Sequence, residues 1–355
     1  MKRNNNFDAL RLLAAVSVIF SHSFLLAEGR QDHEPLMRLT QGQSILGVVG
    51  VFVFFIISGF LVTESFETTA SPLRFLAKRA LRIYPGLILC ILVCAVVLGP
   101  LATTLPLDAY FASGGLYDFV FSNIMLNVEH NGLPGVHFTG FDIGGIVDGP
   151  LWSLPCEVVM YLLVLVLGSM RLLRLSVLWP LLALGLVCLS LDTAASPYFI
   201  GTVGWLLAFF VAGMILYKLR DRHIFDGRIA LLALAGLLMS IPLGRFLLLF
   251  PLFGAYLVLY LALDRRLPVL RAARFGDLSY GLYIYGWPVQ QGLLYASGGR
   301  LLWWQLFPLA LAIAAALAFL SWHLVEQPAL RLKPRGQGLA AGGGYAAPVL
   351  PVAPR

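Results

Sequence analysis

A small set of ionisable residues stands inside or at the edge of long apolar runs, where hydrocarbon makes them costly to keep: Arg11, His22, Arg79, Arg82 and Glu157. Arg11 and His22 lie eleven residues apart. At about 100° per residue a helix brings both onto one face, roughly 16 Å apart along its axis. Imidazole titrates near neutrality, so His22 suits general-base work. The competing reading is an arginine whose head snorkels to the membrane edge and a histidine that bonds a neighbouring helix. Glu157 follows Leu151-Trp152-Ser153-Leu154-Pro155-Cys156. Its depth along its own apolar run matches that of His22, so the two could meet. A carboxylate there could orient the imidazole or bind substrate hydroxyls, or serve only as an anchor between helices. Pro155 frees a backbone carbonyl in the same turn. Arg79 and Arg82 form Arg-Ala-Leu-Arg, continued by Ile83-Tyr84-Pro85. Their i, i+3 spacing aligns two guanidinium groups for a bidentate grip on phosphate, against the bland alternative of ordinary basic residues at a membrane edge.

The elements that must hold these residues follow from composition. Only 12% of the 355 residues are charged, 59% are hydrophobic, and mean hydropathy is +0.84. Soluble domains carry about 25% charge. Such a chain cannot be a soluble globular enzyme, a disordered segment or a secreted disulfide scaffold. It reads as an all-α polytopic transmembrane bundle. About ten spans are expected, near 7–27, 45–66, 81–101, 151–169, 175–191, 199–217, 228–243, 246–263, 276–296 and 301–323. The seventh and eighth meet at Pro242-Leu243-Gly244-Arg245, a tight loop or a kink in a longer helix. Lys2 and Arg3 before the first run resemble a signal peptide, but Arg11 and His22 within it favour a retained helix.

Basic residues orient the bundle. With the N-terminus in the cytoplasm and loops alternating, only Arg30, Arg38, Arg245 and Arg300 of the 25 Lys and Arg fall outside. Both termini are then cytoplasmic, and the expected location is the inner (plasma) membrane. The net charge of +7 is thereby explained by topology, with no nucleic acid as partner. Residues 1–330 read as one membrane domain, including an extracytoplasmic loop over 102–150 that holds Asp108, Asp118, Glu129, Asp142 and Asp148 but no Lys or Arg. Residues 331–355 are rich in Gly, Ala and Pro and are expected to be a disordered cytoplasmic tail.

The remaining candidates carry bland readings. Ser58-Gly59, within Phe54–Leu61, permits close helix approach. His130, His137, Asp142 and Asp148 are expected to be solvated loop residues, with an acceptor site as the alternative. Asp277, His323 and Glu326 are expected to be structural anchors. The four cysteines show no CxxC or Cys/His spacing, so no metal is expected.

Together these pieces resemble the acyltransferase-3 family of integral membrane acyltransferases, over about 7–330. The resemblance lies in Phe7-Asp8-Ala9-Leu10-Arg11 with His22, FFIISGFLVT (54–63), Arg79–Arg82 with Ile83-Tyr84-Pro85, LWSLPCEVVMY (151–161), FGDLSYGLYIYGWPVQQ (275–291) and Glu326-Gln327-Pro328. No appended SGNH hydrolase-like domain is expected. The resemblance implies transfer of an acyl group, usually acetyl, from cytoplasmic acyl-CoA to a hydroxyl of an extracytoplasmic or lipid-linked glycan. Acyl-CoA, here acetyl-CoA, is then a co-substrate. Arg79 and Arg82, with Arg11, would hold its phosphates. His22 and Glu157 would be catalytic. The rival readings are a transporter or flippase of a glycan precursor, and a membrane receptor or scaffold.

Overall fold

In a computed structural model the described residues are 5–69, 71–138, 145–191, 198–222, 224–264, 268–270 and 272–332. Asp142 and nearly all of the expected tail lie outside them. Every apolar run predicted to span is a helix. In chain order the helices are α1 (Phe7–Glu28), α2 (Pro35–Leu39), α3 (Leu46–Glu67), α4 (Pro72–Ala102), α5 (Leu107–Ala112), α6 (Gly114–Ile124) and α7 (Gly149–Ser169). Then follow α8 (Leu175–Ser190), α9 (Tyr198–Leu219), α10 (Gly227–Ser240), α11 (Phe246–Leu263), α12 (Ser279–Ala296) and α13 (Trp303–Arg331). Among the described residues, seven helical stretches are long and apolar enough to cross a membrane: those of α1, α3, α4, α7, α9, α11 and α13. Helices α8 and α10 are apolar but shorter. Helix α12 carries Gln290 and Gln291 and is almost wholly buried among its neighbours, so lipid does not dictate its composition.

Several boundaries differ from the apolar runs. Helix α4 begins at Pro72, because proline suits a first helical position and the turns holding Arg74, Lys78 and Arg79 continue the helix past its apolar part. Helix α12 starts only at Ser279, since Gly276 takes φ +106°. Helix α13 runs on through a π turn at Trp322–Glu326. The doubtful junction is a loop: the chain reverses between α10 and α11 through Gly244 at φ +64°.

Small residues let the central helices touch. A Cβ on Gly59 would stand 2.0 Å from the Phe210 carbonyl oxygen, and one on Gly213 would stand 2.1 Å from that of Ile56. Helices α3 and α9 therefore cross backbone to backbone. Phe52 stacks on Phe209 beside that crossing, with centroids 3.7 Å apart. Gly50 admits the Ala14 carbonyl and Gly286 admits Ile19, which draws α3 and α12 onto α1. Beyond α1, the buried Glu34 accepts hydrogen bonds from Ser21 Oγ and from the Met37 and Leu46 amides, while Gly47 donates to Ser21.

The described parts of the segment 102–150, residues 102–138 and 145–150, fold onto the bundle. Tyr110 donates to the Ala95 carbonyl. Trp287 Nε1 and Gln291 Nε2 both donate to the Ile146 carbonyl. His130 and His137 are exposed. Asp148 is not a solvated loop residue. It is 1% exposed, its backbone is clamped by Asn131, and Cys90 Sγ donates to Oδ2 at 3.8 Å. Burial pushes its carboxyl well above the usual carboxylate range.

The α3–α9 crossing yields a stability test. Gly59→Ala is expected to destabilise the protein by about 1–3 kcal/mol through overpacking. Gly114→Ala, whose Cβ would meet nothing within 4 Å, serves as the control. Thermal unfolding in detergent reads both, and equal midpoints would contradict the close crossing.

Candidate functional site

One face of α3 lines a cavity of about 550 Å³. Its residues are Val51, Phe54, Phe55, Ser58, Leu61, Ser65 and, just past the helix, Thr68. These follow the i, i+3, i+4 spacing of a single helical stripe. From Val51 to Thr68 the stripe covers roughly 25 Å by the helix rise. The cavity is therefore long, and its two ends differ. At the Thr68 end stand Lys78, Arg79 and Arg82 from α4 and Asp277 from the turn before α12. At the Val51 end stand Phe54, Ser153, Leu154 and Tyr283.

The cavity walls carry four cations, Arg11, Lys78, Arg79 and Arg82, against two carboxylates, Glu157 and Asp277. Their pairing leaves positive charge uncompensated. Arg82 Nη2 meets Asp277 Oδ2 at 2.6 Å, and its guanidinium lies 5.8 Å from the Tyr280 ring centre. Lys78 donates to Thr69 Oγ1 at 2.8 Å. Among the described residues, neither Arg11 nor Arg79 forms an ion pair, and Arg79 Nε is buried without a hydrogen-bond partner. Arg79 instead sits over the Tyr161 ring, 5.7 Å from its centre. An anion that supplies several oxygens would complete both guanidinium groups.

The backbone of α4 shapes this end. Pro85 has no N–H to offer within the helix. Tyr280 donates to the adjacent Ile83 carbonyl at 2.8 Å. Gly86 packs against Tyr280 and the buried Glu326, leaving no room for a side chain. Glu326 Oε1 accepts from Ser321 across the π turn of α13, so it anchors that wall as expected.

Four of the five predicted residues thus share one cavity. Arg11 interacts through space with Asp277, Arg82, Tyr161 and Glu157. Glu157 Oε1 accepts from Ser58 Oγ at 3.0 Å and from the Tyr161 hydroxyl at 2.5 Å. The expected meeting of Glu157 with His22 therefore does not form. The two helices present them to different neighbours. Glu157 turns toward α3 and the cavity, whereas His22 turns toward α12.

His22 is not among the residues that line the cavity. Its ring packs edge-on against Trp287, with centroids 4.8 Å apart. Gln290, one turn further along α12, donates to the Ile19 carbonyl and to Ser23 Oγ, which bracket His22 in sequence. Trp287 follows Tyr283 by four residues, so His22 stands about one turn, roughly 6 Å, beyond the apolar end of the cavity.

Sequence reasoning missed Tyr161, Asp277 and Ser58 as partners of the charged groups. Ser58-Gly59 divides its work between two faces. Gly59 makes the helix crossing, as its composition suggests, while Ser58 reaches the carboxylate. Asp277 has a sequence signal in FGDLSYGLY, but its pairing with Arg82 spans 195 residues. His323 is exposed and bonds the Phe319 carbonyl within its own helix. Among the described residues, no group of three or more His, Cys, Asp or Glu is placed to hold a metal ion.

The acyltransferase-3 family model, described as an acyltransferase domain, matches residues 4–323. Nodulation protein 10 of Rhizobium leguminosarum bv. viciae is 31% identical, over 93% of this chain and 94% of its own. An O-acetyl transferase of Shigella phage Sf6 is 28% identical, over 92% and 96% respectively. Acyltransferase MdmB of Streptomyces mycarofaciens is 29% identical over 44% of this chain and 37% of its own. No solved structure matches significantly. The chain belongs to the acyltransferase-3 family and is a multi-pass membrane acyltransferase.

The unpaired guanidinium groups make a direct prediction. Pyrophosphate should raise the unfolding temperature of the detergent-solubilised protein. Arg79→Ala should weaken that effect about tenfold or more, the usual worth of a charge-assisted hydrogen bond. Arg245→Ala, at an exposed loop far from the cavity, should leave it intact. An equal loss in both variants would mean that the anion binds elsewhere.

Proposed function

We propose that this acyltransferase-3 protein takes an acetyl group from cytoplasmic acetyl-CoA and delivers it to a hydroxyl of an extracytoplasmic or lipid-linked glycan. The observation that carries the proposal is the elongated cavity with Arg79, which has no ion pair among the described residues, beside Arg82 and Lys78 at one end and an apolar floor at the other. Coenzyme A has matching parts: phosphates at one end and a long uncharged arm that ends in the thioester. The name of the phage relative, an O-acetyl transferase, supports acetyl as the group and oxygen as the acceptor atom.

In this reading Arg79 and Arg82 grip the phosphates at the cytoplasmic face of the inner membrane, and Arg11 meets the arm deeper in. Glu157 acts on the donor side. It holds Tyr161, and Tyr161 supports Arg79 from beneath. His22 acts at the far end, where the thioester arrives. By one route its imidazole takes the proton of the acceptor hydroxyl while the oxygen attacks the carbonyl carbon. The C–S bond then breaks, and the thiolate leaves with a proton from the imidazolium. By the other route the imidazole nitrogen takes the acyl group first and passes it on. Both routes need His22 neutral at the start. The positive-inside pattern places both termini in the cytoplasm and the 102–150 segment outside, on the acceptor side.

Two variants test this. In cells that lack the chain, the unmodified protein should restore acetyl groups on surface glycans. His22→Ala should restore none while reaching the membrane in normal amount, and near-normal acetylation would exclude His22 from the chemistry. Combined Arg79→Ala and Arg82→Ala should raise KM for acetyl-CoA tenfold or more, by the cost of lost charge-assisted bonds. A selective rise in KM for the acceptor would contradict the phosphate role.

A further inference from the structure

We propose that the cavity end remote from Arg79 and Arg82 is an acyl pocket that admits only short, uncharged acyl groups, with Phe54 and Tyr283 as its end wall. The inference rests on the coenzyme A reading above and adds which donors the protein accepts. If the phosphates sit at the basic end, the arm points along the α3 stripe toward Val51. The acyl group then leads and occupies the deepest space.

Two aromatic rings line that space. Phe54 and Tyr283 meet edge to face, with centroids 5.5 Å apart. Tyr283 is 6% exposed. Its hydroxyl bonds Ser153 Oγ at 2.7 Å and donates to the Pro150 carbonyl at 3.0 Å. The ring cannot swing aside without breaking these bonds in a buried setting, which is costly. A longer chain would have to displace it. Val51 and Leu154 complete the walls. None of these residues is charged.

The lining cations are engaged elsewhere. Lys78, Arg79 and Arg82 stand at the basic end, and the electrostatic partners of Arg11 are Asp277, Arg82, Tyr161 and Glu157. A carboxylate at the tip of a dicarboxylic acyl group would meet Phe54 and Leu154 instead of a cation. An unpaired charge in such a site is strongly disfavoured.

Isothermal titration of the full-length detergent-solubilised protein tests the pocket without the acceptor. The ligands are coenzyme A and its acetyl, butyryl, hexanoyl and succinyl thioesters, each referenced to coenzyme A itself. The unmodified protein should bind acetyl-CoA roughly tenfold or more tighter than hexanoyl-CoA, as methylene discrimination in a closed pocket allows. Phe54→Ala should erase that ratio, and the milder Phe54→Leu should reduce it. Succinyl-CoA should bind more weakly than butyryl-CoA, which matches it in chain length. Equal affinity for acetyl-CoA and hexanoyl-CoA, or a ratio unchanged in both variants, overturns the wall. Equal affinity for succinyl-CoA and butyryl-CoA overturns the exclusion of charge. Failure of the unmodified protein to bind coenzyme A at all would instead overturn the donor reading beneath it.

Discussion

Positive charge held in a helical bundle without enough negative charge to match it is the interaction on which the rest depends. Arg82 has Asp277. Arg11 and Arg79 have aromatic and polar neighbours but, among the described residues, no ion pair. Keeping a guanidinium in such a place costs free energy that packing elsewhere must offset. A bound phosphate would remove most of that cost. In the proposed reading this is why the phosphate end of the donor seats at the basic end of the cavity.

The bundle makes that arrangement possible by spending its tightest contacts elsewhere. Glycines bring α3 against α9 and α1 at backbone distance. Gly50 and Gly59, nine residues apart, pack opposite sides of α3 and leave the stripe from Val51 to Thr68 between them as a wall of the cavity. Helix α12 is the second fixed element. Tyr280, Tyr283, Trp287 and Gln290 follow one another at three- and four-residue steps along it. Successively they brace the basic end, close the apolar end, touch His22 and hold α1 beside His22. One helix therefore links the anion grip to the imidazole, and a shift of α12 would be felt at both.

Much of this was legible in the sequence, and the gaps have a physical cause. Apolar runs marked the ten longer helices but not α2, α5 and α6, because helices satisfy their own backbone in lipid whereas the short ones depend on local caps and packing. The cost of burying charge singled out Arg11, Arg79, Arg82 and Glu157, and these four came together. Counting residues gave a position along each helix for His22 and Glu157. It gave no direction about the helix axis relative to neighbours, so Glu157 was matched to His22 when it in fact faces Ser58 and Tyr161. Asp148 was misjudged for a related reason. Its loop is polar in composition, but Asn131 and Cys90, distant in sequence, close around it. Partners such as Arg82 and Asp277 are set by tertiary packing and leave no local trace.

The central claim is that Arg79, which has no ion pair among the described residues, and the neighbouring Arg82 hold the phosphates of an acyl-CoA whose arm runs along α3. Cryo-electron microscopy of the protein with a non-hydrolysable thioether analogue of acetyl-CoA tests it most directly. The account predicts phosphate density between Arg79 and Arg82 and the acyl end against Phe54 and Tyr283, one turn from His22. Analogue density outside this cavity, or with its phosphates at the Val51 end, would contradict it.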